Sequence, residues 1–439
     1  MPSSVKSLVE KASKARDILA DMSQAELDHI AETIAVRGAA HAERLAAAAV
    51  AETGMGRLES KIAKNILGTK IVWESIKNIK TTGIIKRDEE LGIIEIARPK
   101  GIIAAILPVT NPTATVFFKS IIALKAGNPI LFSPSRRARD CSALAVEIVQ
   151  AAAREAGCPE GAIGIIDGNK EEALALLSHQ EIGTVLATGG LAMARAAYSS
   201  GNPALGVGAA NVPVYVHKTA NLKQAAHDII ESQGYDWGLV CASEQNLVVD
   251  AGIRDEFLRE LTDQGAYICN ESEAALLGTL LSVREGLHSV LGQSPETIAR
   301  LAGFSVPVHT TLLLAYSAGI GPQYPISQEK LAPILGLFVA KDEAEAFSLC
   351  LDILKFDGLG HSAAIHANER DLIERYALKM PGSRIIVNTP SALGGVGVTT
   401  HLVPSLTLGC GAIGKNASSS NISVLDLIDI RRVAFGVQR

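Results

Sequence analysis

At 439 residues, 48% of them hydrophobic and 20% charged, the chain is too long for one small core and has the make-up of an α/β protein of two or three domains. A formal charge of −5, with no basic tail and no interleaving of aromatic and basic residues, argues against a nucleic-acid partner. The six cysteines (Cys141, Cys158, Cys241, Cys269, Cys350, Cys410) form no CxxC pair, the longest apolar run is far short of a membrane span, and Met1–Lys6 carries no signal-like apolar core. The expectation is therefore a cytoplasmic protein with no metal, no disulfide framework and no membrane partner.

The first 80 residues read as helices. Val5, Leu8, Val9 and Ala12 recur at helical spacing, Ser23-Gln24-Ala25-Glu26 is a capping box, and further helical patterns run over about 39–52 and 60–76. Whether they pack on a sheet or on each other is open. Residues 84–96 read as two strands around a charged turn, either an arm for subunit contact or an exposed ribbon.

From Gly101 the pattern becomes strand, helix, strand. Strands are expected at 101–107, 129–132, 162–166, 183–187 and 212–216, with helices at 113–126, 140–157, 171–178 and 191–199 between them. That alternation implies right-handed crossovers and a parallel sheet, whose ligand sits beyond the carboxyl ends of the strands. A second α/β unit follows from about 219, with strands at 247–249, 312–314, 335–339, 362–366 and 384–387. Ser294-Pro295 starts one of its helices with a capping hydroxyl and a proline.

The glycine-rich stretches give no dinucleotide fingerprint. Gly206-Val207-Gly208-Ala209-Ala210-Asn211 lacks the third glycine, and Gly358-Leu359-Gly360-His361-Ser362-Ala363 precedes a strand instead of following one. Thr188-Gly189-Gly190 ends a strand and opens a helix, so its N–H groups either meet a phosphate or simply cap the helix. Asn111, between Pro108 and Pro112, is either a turn asparagine or an amide donor for an oxyanion. Glu329-Lys330-Leu331-Ala332-Pro333 reads as a helix stub, its carboxylate solvated or free for a ribose. His361 is a core histidine or a proton carrier. Cys241 lies in Tyr235-Asp236-Trp237-Gly238-Leu239-Val240-Cys241-Ala242-Ser243-Glu244-Gln245, where a tight turn at the edge of a core suits a nucleophile; most free cysteines merely pack.

Taken in order, these segments resemble the aldehyde dehydrogenase superfamily, and within it the coenzyme A-acylating branch. The resemblance is carried by Leu107-Pro108-Val109-Thr110-Asn111-Pro112, Phe132-Ser133-Pro134, Ala187-Thr188-Gly189-Gly190, Ala196-Ala197-Tyr198-Ser199-Ser200-Gly201, 206–211, 235–245, 358–363 and Pro404-Ser405-Leu406-Thr407-Leu408-Gly409-Cys410-Gly411. It implies a Rossmann-type cofactor domain (1–80 and 101–217), a catalytic domain (218–407) and a small β oligomerisation arm (81–100 and 421–439) that joins a homodimer or homotetramer. It implies Cys241 as nucleophile, with Cys410 as the rival, and Asn111 with the Cys241 N–H as oxyanion hole. NAD or NADP would meet Pro108, Thr110, Ser133, Pro134, Arg136, Thr188, Gly189, Gly190, Gly208, Glu329 and Pro333. His361 would assist coenzyme A, the co-substrate beside a small aldehyde.

Hydrolytic relatives carry a Glu-Leu-Gly-Gly motif whose glutamate activates water. Gly206-Val207-Gly208-Ala209 stands there instead, and a thiol needs less help than water, so the resemblance implies acyl transfer to coenzyme A. The other readings are a hydrolytic aldehyde dehydrogenase, an acyl-phosphate reductase, and a catalytically idle nucleotide-binding or assembly protein.

Overall fold

Short runs, most of them apolar and rich in Ile, Leu, Val and Ala, form strands of three to seven residues in a computed structural model that describes residues 2–189 and 191–437. In chain order, β1 (Gly83–Asp88) and β2 (Ile93–Pro99) make an antiparallel hairpin. Then β3 (Ile102–Ile106), β4 (Ile130–Ser133), β5 (Ile163–Ile165), β6 (Ile182–Ala187) and β7 (Ala204–Gly206) form a parallel sheet in the order β5-β4-β3-β6-β7.

Seven further strands make a second parallel sheet: β8 (Val212–Val216), β9 (Glu244–Asp250), β10 (Ala266–Ile268), β11 (Leu312–Tyr316), β12 (Ile334–Ala340), β13 (Gly360–His366) and β14 (Gly382–Val387), ordered β10-β11-β12-β9-β8-β13-β14. Finally β15 (Ile428–Ala434) returns to the hairpin and pairs antiparallel with β2.

Alternating side chains put two cores on the five-stranded sheet. Ile103, Ala105, Ile130 and Phe132 face one way, Ile102, Ala104, Ile106 and Leu131 the other. The amino-terminal helices divide between these faces. Ser3–Asp21 supplies Val5, Val9 and Ala12 to one, and Gln24–Ala40, started by the Ser23/Glu26 capping box, supplies Leu27, Ile30 and Ile34 to the other.

Three features depart from the sequence reading. The strand Val212–Val216, expected to close the first unit at 217, is hydrogen-bonded between β9 and β13 of the second sheet, so its fully buried side chains belong to the second core. Glu329 and Lys330 are in a loop between a 3-10 turn (Pro325–Ser327) and β12, where Pro333 and the left-handed Leu331 (φ 47°) prevent the expected helix stub. Helices Glu271–Ser282 and Arg284–Val290, before Ser294, lie in a stretch to which the sequence reading assigned no element. No helix among the described residues is long and apolar enough to cross a membrane.

Candidate active site

Cys241 follows helix Leu222–Gly234 and a kinked turn, Tyr235–Gly238. Three successive residues of that turn are left-handed: Asp236 (φ 52°), Trp237 (φ 51°) and Gly238 (φ 72°). The conformation costs a non-glycine residue about 1–3 kcal/mol and persists only where surrounding contacts impose it. Asp236 supplies those contacts. Fully buried, it donates its N–H to Ser60 Oγ (3.0 Å) and accepts from the Arg57 N–H (2.8 Å), Lys61 Nζ (3.1 Å) and Lys64 Nζ (2.5 Å). A Cβ on Gly238 would stand 2.8 Å from the Ala332 backbone, so only glycine fits there.

The two lysines come from helix Leu58–Ile66, which continues as a π-helical turn over Leu67–Ile71. Such turns recur at functional sites. Lys64 Nζ also donates to Asn111 Oδ1 at 2.5 Å, and Lys61 Nζ to Thr110 O at 3.1 Å. Gly68 lets the helix lie directly on the Ala114 carbonyl, just past Asn111. None of these partners was anticipated. The available signal was Lys64 opening an i, i+3, i+4, i+7 stripe with Leu67, Gly68 and Ile71, a lysine on the face that must be buried.

Around Cys241 are Leu67, Val240, Ala242, Val396 and Leu408, with Ile71, Tyr235 and Leu406 partly buried against them. Cys241 is partly exposed as a residue, but its thiol is deeply set: burial, then the charge of Glu329, push it up to about 12, while Arg384 and Lys64 pull it back. Burial, reinforced by Asp357, pushes the Glu329 carboxyl up to about 8. Among the described residues no group accepts the Cys241 backbone N–H. The structure thus brings together Cys241, Glu329, Arg384 and Cys410, with Asn111 tied in through Lys64.

His361 is fully buried, its Nδ1 3.0 Å from Ser362 Oγ and its Nε2 without a partner. Burial, and then the Arg384 charge, hold the imidazole neutral. Arg384 donates to His361 O (3.0 Å) and Gly409 O (2.6 Å), so one guanidinium fixes both the histidine strand and the Cys410 loop. Cys410 is buried and engaged, its Sγ accepting the Gly208 N–H at 3.4 Å.

The expected dinucleotide residues fall into three groups. Pro108 and Thr188 follow β3 and β6, the adjacent pair at which the strand order of the five-stranded sheet reverses, the place where such sheets bind ligands. Gly189 beside them is uncrowded: among the described residues a Cβ there would meet only Ile106, at 3.6 Å, and Met193, at 3.9 Å. Gly190 lies outside the described residues. Thr188 is held by Thr407 Oγ1 at 2.8 Å, and Thr110 by Lys61. Ser133 and the buried Pro134 end β4, and Arg136, in the following turn, is exposed. Pro108, Thr188, the uncrowded Gly189 and the exposed Arg136 are thus the residues that would hold a dinucleotide at this switch point. Gly208 lies just past this edge, where the Val207 N–H donates to Ala187 O (3.2 Å) at the end of β6, and Pro333 immediately precedes β12. Gly208 packs on Cys410, and Pro333 is buried with its carbonyl accepting the Leu313 N–H (2.9 Å).

Gly206 is closed. Its N–H donates to Tyr198 Oη at 2.9 Å, and a Cβ there would stand 3.0 Å from that ring.

The sequence profile of the aldehyde dehydrogenase family matches residues 2–285. Aldehyde-alcohol dehydrogenase 2 of Entamoeba histolytica is 42% identical over 94% of this chain and 49% of its own length. The chain thus spans about half the length of the first curated relatives it matches. Succinate-semialdehyde dehydrogenase (acetylating) of Clostridium kluyveri is 34% identical over 98% of this chain and 96% of its own. An acetylating aldehyde dehydrogenase from Geobacillus thermoglucosidasius superposes with a TM-score of 0.97 at 46% identity, covering 99% of this chain and 97% of that one.

Proposed function

Because the chain belongs to the aldehyde dehydrogenase family, we propose that it is a CoA-acylating aldehyde dehydrogenase, converting a short aldehyde, coenzyme A and NAD or NADP to acyl-CoA and reduced cofactor, reversibly. The observation that carries this reading is the closed Gly206. The position that holds a water-activating glutamate in hydrolytic relatives is filled by the Tyr198 ring.

In the proposed mechanism Cys241 gives its proton to solvent and, as the thiolate, adds to the aldehyde carbonyl carbon. The oxyanion of the thiohemiacetal accepts from the Cys241 N–H and Asn111 Nδ2. A dinucleotide, held by Pro108, Thr188 and the Ser133–Arg136 edge with Glu329 at its ribose, supplies when bound the acceptor for the hydrogen and electron pair leaving the carbonyl carbon. The acyl group stays on Cys241 as a thioester. The thiol of coenzyme A then attacks it, giving its proton to the imidazole of His361, and acyl-CoA leaves as the Cys241 sulfur departs and takes that proton up, which returns the imidazole to its neutral form. One thioester replaces another, so the step runs both ways.

The side chains around Cys241 favour an apolar tail such as that of acetaldehyde over succinate semialdehyde or sulfoacetaldehyde. Of the cations acting on the thiol, Lys64 is engaged by Asp236 and Asn111, and Arg384 by His361, Gly409 and Asn421. The exposed edges of the β1-β2-β15 sheet suit contact with a second copy, in a homodimer or homotetramer. Six free cysteines suit a reducing cytoplasm.

An aldehyde panel assayed with each dinucleotide, with and without coenzyme A, tests the proposal. Full-rate formation of reduced cofactor without coenzyme A would sink it in favour of hydrolysis, and phosphate serving as acceptor would favour the acyl-phosphate reading. Inactivity with every aldehyde would leave the idle reading.

A further inference from the structure

Asp236 is one buried carboxylate with two buried ammonium groups on the same oxygen, Lys61 at 3.1 Å and Lys64 at 2.5 Å. One lysine neutralises one carboxylate. Burying a second cation is expensive, so a surplus one points to a purpose beyond holding the turn. The two lysines differ in their remaining bonds. Lys61 ends on a backbone carbonyl, that of Thr110, whereas Lys64 ends on the side-chain oxygen of Asn111 and, at 3.4 Å, on the Leu239 carbonyl two residues before Cys241.

A primary amide can turn either end toward a neighbour, but an ammonium has only donors and selects Oδ1. That leaves Nδ2 on the other side, where its only protein partner among the described residues is Thr110 Oγ1 at 3.3 Å. One of its two N–H bonds remains free. Donation to Oδ1 also draws electron density from the amide nitrogen and makes Nδ2–H the better donor.

We propose that Lys64 is a positioning residue for the acyl-transfer chemistry: it locks the Asn111 amide with nitrogen toward the oxyanion on Cys241 and polarises it. The inference rests on reading Asn111 as an oxyanion donor. Asp236 thereby couples the turn that strains the nucleophile to the group that receives the charge.

A double-mutant cycle on the full chain tests it, with kcat and KM for the aldehyde measured in saturating coenzyme A and dinucleotide. Lys64→Met leaves Lys61 and Asp236 as a one-to-one buried pair, so no carboxylate is stranded. Asn111→Ala is expected to lower kcat about 10²–10³-fold. Lys64→Met is expected to lower kcat about ten- to hundredfold, the worth of one charge-assisted hydrogen bond, with KM little changed. The double variant should match Asn111→Ala alone. Lys64→Gln, which keeps an N–H donor but no charge, should retain more kcat than Lys64→Met.

Multiplying losses in the double variant, or a change in KM instead of kcat, would overturn the role of Lys64 while leaving Asn111 standing. An unchanged kcat in Asn111→Ala would overturn the oxyanion reading and this inference with it. If both Lys64 variants fail to give folded protein by circular dichroism, the lysine serves the fold and the proposal falls.

Discussion

Two cysteines lie in glycine-containing turns under the influence of the same guanidinium, and differ in almost every other respect. The Cys410 turn is saturated. Its thiol takes the Gly208 N–H, its own N–H donates to Asn416 Oδ1 (3.1 Å), its carbonyl accepts from Gly414 (3.2 Å), and Arg384 clamps the preceding carbonyl. The Cys241 turn is strained and left incomplete. Two non-glycine residues are forced left-handed by a buried ion cluster, the backbone N–H of the cysteine has no acceptor among the described residues, and none of the influences on its thiol is a hydrogen bond. Polar groups left unmatched inside an otherwise matched fold mark the place where a ligand completes the bonding. Glycine content and apolar neighbours, the features visible in sequence, do not separate the two turns; their hydrogen-bond accounts do.

The largest effect that can break this contrast is Cys241→Ala. It removes the nucleophile while Asp236 and both lysines stay in place, so acyl-CoA formation should fall to background while the protein remains folded. Measurable CoA-dependent turnover in this variant would move the chemistry to Cys410. A second measurement sharpens the contrast by pH. Burial raises the Cys241 thiol to about 12, so at pH 7 it is protonated and the reactive thiolate grows as pH rises. Alkylation of Cys241 by iodoacetamide, followed by mass spectrometry, should therefore quicken about a hundredfold between pH 7 and 9, about tenfold per unit below the pKa. A rate flat across that window would mean a thiolate already present at rest.

Much of this architecture was legible. Alternating strand and helix patterns located the strands of the five-stranded sheet from β3 to β6, because continuous apolar runs bounded by Gly and Pro have few other outcomes, and the Ser23 and Ser294 helix starts follow from local capping chemistry. What stayed hidden was long-range. Val212–Val216 carries no mark of which sheet will accept it, since a strand buried on both faces looks the same in either. The Lys61–Asp236–Lys64 cluster joins residues 175 and 172 positions apart; Lys61 and Asp236 alone read as solvated charges, and the stripe that hints at a buried Lys64 names no partner for it. Cys241, Asn111 and His361 were reached through collinear resemblance and not through spacing, because a site built on loops after different strands has no local period.

A smaller effect concerns the route by which the acyl group leaves. If Gly206 is closed by Tyr198, then Gly206→Glu cannot restore a water-activating base. The new side chain must displace a ring that a Cβ alone approaches to 3.0 Å, and it forfeits the 2.9 Å bond to Tyr198 Oη. The expected result is a stability loss of about 1–3 kcal/mol in urea unfolding, from overpacking, with no rise in reduced-cofactor formation when coenzyme A is withheld. CoA-independent turnover in this variant would show that the missing carboxylate alone separates the two outcomes.

The smallest effect is expected at Cys410, and it is the most pointed because the change matches the one expected to abolish activity at Cys241. Cys410→Ala deletes a buried sulfur and leaves the Gly208 N–H without its acceptor, but Asn416, Gly414 and Arg384 still hold the loop by backbone and side-chain bonds that do not use the thiol. Gly208 is only partly buried, so water can replace the lost bond. Stability should fall by about 1–2 kcal/mol, the cost of a small cavity and two weak hydrogen bonds (from the Gly208 N–H and to Leu408 O), and kcat should stay within about threefold of the parent protein. A loss of kcat comparable to that of Cys241→Ala, with the fold intact, would mean that the saturated turn is part of the chemistry and that its bonds belong to a resting state from which the sulfur must be released.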